Sequence, residues 1–186
     1  EKAMAGNSIA GRVQTVLGPI APEDLGQTLT HEHLLIDLTV NAHPPPSASG
    51  KAFFNAPVSM ETLGRIRHYK ETNFDDAQLF DVDAAIDEVS LYGQHGGGSL
   101  VDATSVGIAR DPEGLARISR ATGVNIVMGA SYYVAATHPP DMDQKTEAEI
   151  AGEIVTDVTE GAGGTRIRSG VIGEVGCSWP LTDNER

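Results

Sequence analysis

The sequence predicts an α/β fold built on a parallel sheet. Short, nearly all-apolar runs recur at residues 99–104, 124–130 and 170–176, as expected of strands covered on both faces. Helical patterns separate those runs, giving the alternation that parallel α/β folds require. Glycines punctuate the joins, and Pro44-Pro45-Pro46 is the only low-complexity tract.

Residues 11–19 read as a short strand stopped at Gly18-Pro19. Residues 28–37, TLTHEHLLID, read as a second and more buried strand. Residues 44–50 form a loop, and residues 59–69 a short helix carrying Leu63 and Ile66. Residues 81–94 make a better helix: Val82, Ala85, Ile86 and Val89 fall on one stripe, and Asp81 can cap the free N–H groups. Gly96-Gly97-Gly98 ends it.

Residues 99–104 are a compact strand. Asp111-Pro112-Glu113 opens a helix with a cap, a proline in the first turn and an acid beside it, and Gly123 stops it. Residues 124–130 are the next strand, followed by a loop through His138-Pro139-Pro140. A helix over about residues 146–159 carries Ile150, Ile154, Val155 and Val158, and the last strand spans residues 170–176. A closed (β/α)₈ barrel takes about 250 residues. Four barrel-type strands in 186 residues read as half a barrel, and an open parallel sheet fits the same pattern.

The formal net charge of −13 argues against nucleic acid and anionic membrane surfaces as partners. No run approaches the roughly 18 apolar residues of a membrane span. Glu1 to Gly6 lacks a signal peptide's apolar core, and Met4 is one candidate start. The single cysteine, Cys177, excludes an internal disulfide and a multi-cysteine zinc site. The expected location is a reducing compartment, the cytoplasm.

The sharpest chemical feature is Thr30-His31-Glu32-His33-Leu34. On a strand, His31 and His33 share a face and Glu32 takes the other. Two such imidazoles can grip one divalent metal; a hydrogen-bonded histidine pair fits the same spacing. Glu174 sits in a strand of β-branched residues and glycines, where a carboxylate needs an ion pair or a metal.

Several separate motifs carry a resemblance. They are Thr15-Val16-Leu17-Gly18-Pro19-Ile20, Leu25 through Leu34, Gly96 through Asp102, Ala109-Arg110-Asp111-Pro112, Ser119 through Val127, and Gly173-Glu174-Val175-Gly176-Cys177-Ser178-Trp179-Pro180-Leu181-Thr182. In order and content they resemble the phosphotriesterase-related proteins of the amidohydrolase superfamily, over nearly all of the chain from Gly11.

The resemblance implies a TIM (β/α)₈ barrel of metal-dependent hydrolase type, truncated after about the fourth strand. Residues 1–186 would be the N-terminal half of that single domain. It implies two divalent metals, zinc by ligand type, with manganese or cobalt as substitutes. His31 and His33 would hold the more buried metal and Glu174 would bridge both, where many relatives use a carboxylated lysine. The remaining ligands, two histidines and an aspartate, belong to later strands. The implied reaction is attack by a metal-activated hydroxide on a phosphotriester, lactone or carboxylic ester. N-acyl amide hydrolysis is the alternative within the family, and an inert metal-binding fragment the alternative outside it. The partner is then a small-molecule ester or amide, with a homodimer as a further expectation; residues 1–186 expressed alone would self-associate through the half barrel's open edges.

Weaker expectations concern other residues. Tyr132 and Tyr133 follow a strand where barrels build substrate pockets, and ordinary packing fits them equally. Asp102 orients a histidine or pairs with Arg110, the second being preferred. Trp179 braces the loop after Glu174 rather than lining the mouth, Cys177 packs, and His138 is a loop residue.

Overall fold

The computed structural model describes residues 10–186. The stretch Glu1 to Gly6, with its leader and start-site readings, lies outside them. The segment expected to be one strand is a hairpin, β1 (Val13–Thr15) and β2 (Gly18–Ile20), paired antiparallel. The Thr15 hydroxyl closes its turn by donating to the Gly18 carbonyl at 2.7 Å.

The predicted strand over residues 28–37 breaks in two. β3 (Gln27–Glu32) ends just before His33, and β4 (Ile36–Asp37) pairs instead with β5 (Gln78–Leu79). Between β4 and β5 lie α1 (Ala48–Phe54) and α2 (Leu63–Tyr69). Helix α1 starts inside the span expected to be a loop. Ser47 caps it by accepting from the Gly50 N–H, and Phe53 and Phe54 are its buried anchors. The expected helix over residues 59–69 shortens to α2, its first residues forming a turn.

The remaining elements follow the sequence closely except the last strand, expected over residues 170–176 with Glu174 inside it, which contracts to two residues and leaves Glu174 beyond its end. They are α3 (Val82–Gln94), β6 (Gly97–Asp102), α4 (Pro112–Thr122), β7 (Asn125–Ala130), α5 (Glu147–Thr159) and β8 (Val171–Ile172). Asp81, Asp111 and Thr146 cap α3, α4 and α5, and Gly123 closes α4 in the left-handed region. Gly97 and Gly98 open β6 rather than ending α3. A Cβ on Gly98 would lie 2.4 Å from the Leu25 carbonyl oxygen, so close packing of two backbones requires that glycine.

The main sheet is parallel, in the order β3-β6-β7-β8. Sequential parallel strands with crossing helices are half of a (β/α)₈ barrel, as predicted. Leu100, Leu115, Ile118, Ile126 and Met128 are at most 2% exposed and form the core with Ala85 and Val89 of α3. Burial of one such side chain contributes about 1.5–3 kcal/mol.

The outer strands depart from expectation. β3 and β8 were read as buried, yet most of β3 is exposed and Ile172 on β8 is 65% exposed. Among the described residues each is an edge strand with a strand partner on one side alone, and apolar composition does not bury an unpartnered edge. Helix α5 lies beside that edge and has no fully buried residue. Among the described residues, no helix is long and apolar enough to cross a membrane.

Candidate metal centre

β3 and β8 lie at opposite edges of the four-strand sheet, yet their C-terminal ends meet. His31 is the penultimate residue region of β3, His33 follows its end, and Glu174 lies just past β8. His31 Nε2 is 3.1 Å from Glu174 Oε2, and His33 Nε2 is 3.6 Å from Glu174 Oε1. The two rings stand edge to face with centroids 5.2 Å apart. One ligand atom from each residue lies within 4.8 Å of the others, so the three side chains can share a metal ion.

The hydrogen bonds around His33 determine which nitrogen faces that point. The Thr104 hydroxyl donates to the Leu35 carbonyl at 3.2 Å, which uses its only proton. His33 Nδ1, 3.0 Å from the same oxygen, must therefore be the donor. A neutral His33 then presents the lone pair of Nε2 to the Glu174 carboxylate. Two acceptors facing each other need a cation between them, a proton or a metal. Donation of the far N–H to a fixed acceptor is also how metal-binding histidines are held. The donor set fits a divalent ion.

Asp102 supports the same region. It is fully buried, with Oδ2 accepting from the Leu34 N–H at 2.8 Å and Oδ1 from the Thr104 N–H at 3.0 Å. Burial raises its carboxyl pKa, against those hydrogen bonds and the nearby His33. It braces the backbone on both sides of the His33–Thr104 pair. The preferred pairing of Asp102 with Arg110 is absent. The loop after β6 carries Arg110 away to Asp157, at 2.6 Å, and to the Gly129 carbonyl, at 3.1 Å.

Tyr132 donates its hydroxyl to Glu153 on α5, and burial followed by that carboxylate pushes its pKa up to about 12. Tyr133 packs beside Gly176 and accepts from His138 Nε2 at 3.0 Å, so His138 serves the loop as expected. Both tyrosines line a cavity of about 220 Å³ with Ile150, Ile154 and Ile172. Cys177 was expected to pack but is exposed, and Trp179 is 94% exposed, so it does not brace the loop. Glu185 holds that loop instead. Its carboxylate accepts from the N–H groups of Thr182, Ser178 and Ala135, which push its pKa down to about 2 against the effect of burial.

Sequence reasoning missed Thr104 and Glu185. Thr104 is an ordinary strand-end residue until the fold sets it against His33. Glu185 had a local signal, since Thr182 and Glu185 have capping-box spacing.

The Phosphotriesterase family matches residues 11–186. The chain belongs to that family. Members are metal-dependent hydrolases, and His31, His33 and Glu174 are a group of side chains that could hold a metal ion. Over 181 residues the chain is 42% identical to an N-acetyltaurine hydrolase of Xenopus tropicalis, covering 97% of this chain and 52% of that protein. A resiniferatoxin-binding protein structure from Rhodobacter sphaeroides superposes with a TM-score of 0.90 at 43% identity, covering 95% of this chain and 49% of that one. A variant of the organophosphorus hydrolase from Deinococcus radiodurans gives a TM-score of 0.64 at 27% identity, covering 94% and 46%. The chain thus spans about half the length of the Phosphotriesterase-family relatives it matches.

Proposed function

We propose that the whole protein is a metal-dependent hydrolase and that residues 1–186 are the N-terminal half of its single (β/α)₈ domain. His31 and His33 would hold one divalent metal of a pair, and Glu174 would be shared with the second. Zinc suits imidazole and carboxylate ligands best, with manganese and cobalt as substitutes. The supporting observation is the convergence of His31, His33 and Glu174 from opposite edge strands, with Nε2 of His33 aimed at the carboxylate. When bound, the metals supply Lewis acidity that acidifies water and polarises the oxygen of the scissile group.

The chain's own residues position that chemistry. Glu174 turns one carboxylate oxygen toward each imidazole, so a single side chain spans the site. Thr104 keeps the His33 proton on Nδ1 and its ligand nitrogen free. Tyr132 and Tyr133, on the loop after β7, are the candidate substrate-side residues.

The bond cleaved is an ester-type centre: a phosphotriester, a lactone or a carboxylic ester. An N-acyl amide is the second reading. It is favoured by the higher identity to the N-acetyltaurine hydrolase, 42%, than to the organophosphorus hydrolase, 27%. The substrate is a small molecule, the compartment the cytoplasm, and the assembly a homodimer. The test is a hydrolysis panel on the complete protein with N-acyl amino sulfonates, lactones and aryl phosphotriesters. His31→Ala or His33→Ala should abolish tight zinc binding and hydrolysis together. Full metal content and full turnover in either variant would sink the assignment.

A further inference from the structure

β8 is an outer strand, yet the carboxylate just beyond it reaches histidines on the opposite outer strand. The chain crosses inward over β7 to get there. The Gly173 N–H still bonds the Ala130 carbonyl of β7, at 2.9 Å. The next N–H, that of Glu174, passes over β7 and donates to the Ala103 carbonyl beside β6, at 3.0 Å. Ala103 in turn donates its own N–H to the carbonyl of Glu32, the residue between the two histidines, at 2.9 Å. The two backbone groups of one residue thereby tie together the two segments that carry the ligands.

The crossing runs over Gly129. A Cβ built there would lie 2.1 Å from the Gly173 carbonyl oxygen and 3.4 Å from the Ala103 carbonyl carbon. Gly129 is not among the glycines with a left-handed φ, so space and not backbone freedom calls for glycine here. The atoms a side chain would meet are backbone atoms, which cannot rotate aside. Their displacement would carry the Glu174 peptide with them.

We propose that Gly129 is a positioning residue for Glu174: its missing side chain is the slot through which the Gly173–Glu174 segment crosses β7 and sets the carboxylate between His31 and His33. The consequence for metal binding rests on the proposed function above; the placement of the peptide does not.

The test uses the complete protein as wild type, Gly129→Ala and Gly152→Ala. Gly152 is a control on α5, with open space around its Cβ direction and no left-handed φ. Cobalt(II) titration followed by visible absorption reads the ligand set, and amide exchange at Glu174 reads the crossing. Gly129→Ala should weaken cobalt binding at least about tenfold and strip protection from the Glu174 amide. Protection of the Val16 amide, bonded to Ile126 on the same β7, should persist, and Gly152→Ala should behave as wild type. Unchanged affinity together with unchanged Glu174 protection in Gly129→Ala would overturn the proposal. Failure of the wild type to bind cobalt would count against the metal reading alone, while the exchange data still decide the role of Gly129. Should Gly129→Ala not fold, the metal-free wild type decides. A protected Glu174 amide supports the slot, and one that exchanges freely until cobalt is added overturns it.

Discussion

His33 Nδ1 lies 3.0 Å from the hydroxyl oxygen of Thr104, and that hydroxyl has already given its proton to Leu35. The pair fixes the histidine tautomer and the orientation of its ring. Thr104→Val keeps the shape and removes the acceptor, so metal affinity of the complete protein should fall by about 10–100-fold. Thr104→Ser should retain most of it. Equal affinities for Val and wild type, measured by competition with a chromophoric chelator, would leave Thr104 no role in the site.

Glu174 is a carboxylate as encoded and needs no covalent modification to face both histidines. Metal reconstitution of the complete protein should therefore proceed equally with and without bicarbonate. Glu174→Gln should lose at least one metal per chain by elemental analysis. A bicarbonate requirement would place the bridge on another residue.

Glu185 ties the loop after Glu174 to the loop after β7, and its folded pKa of about 2 lies below the ordinary 4.5. A depressed carboxyl pKa means that folding favours the charged form. Its stabilising contribution is present above pH 4.5 and is lost as pH falls from there through about 2. Amide exchange at Ala135, Ser178 and Thr182 should accelerate together across that window. Glu185→Gln should show the faster exchange already at neutral pH and lose the pH step.

Among the described residues no further strand pairs with the outer edges of β3 and β8, and Leu29, Ile172 and Val175 are exposed near them. Residues 1–186 alone should self-associate or aggregate, bind at most one metal weakly, and show no ester or amide turnover. Sizing chromatography with metal and hydrolysis assays checks all three. A monomer with two metals and measurable turnover would contradict the half-site reading.

Local chemistry in the sequence was enough to determine the helices capped by Asp81, Asp111 and Thr146, the inner strands β6 and β7 and the parallel α/β class, while the three candidate ligands came from motif resemblance. Caps act on N–H groups two or three residues away, and a buried inner strand must be apolar on both faces, so both leave local marks. The edge strands misled because composition does not record a missing neighbour. Only the tertiary structure decided that β3 stops before His33, that Glu174 crosses β7 over Gly129 to Ala103, and that Thr104, 71 residues from His33, holds that ring. Those relationships are contacts between segments far apart in the chain, made by a glycine, an alanine carbonyl and a threonine hydroxyl. Such groups acquire a specific role only when the curled sheet brings its two outer strands together.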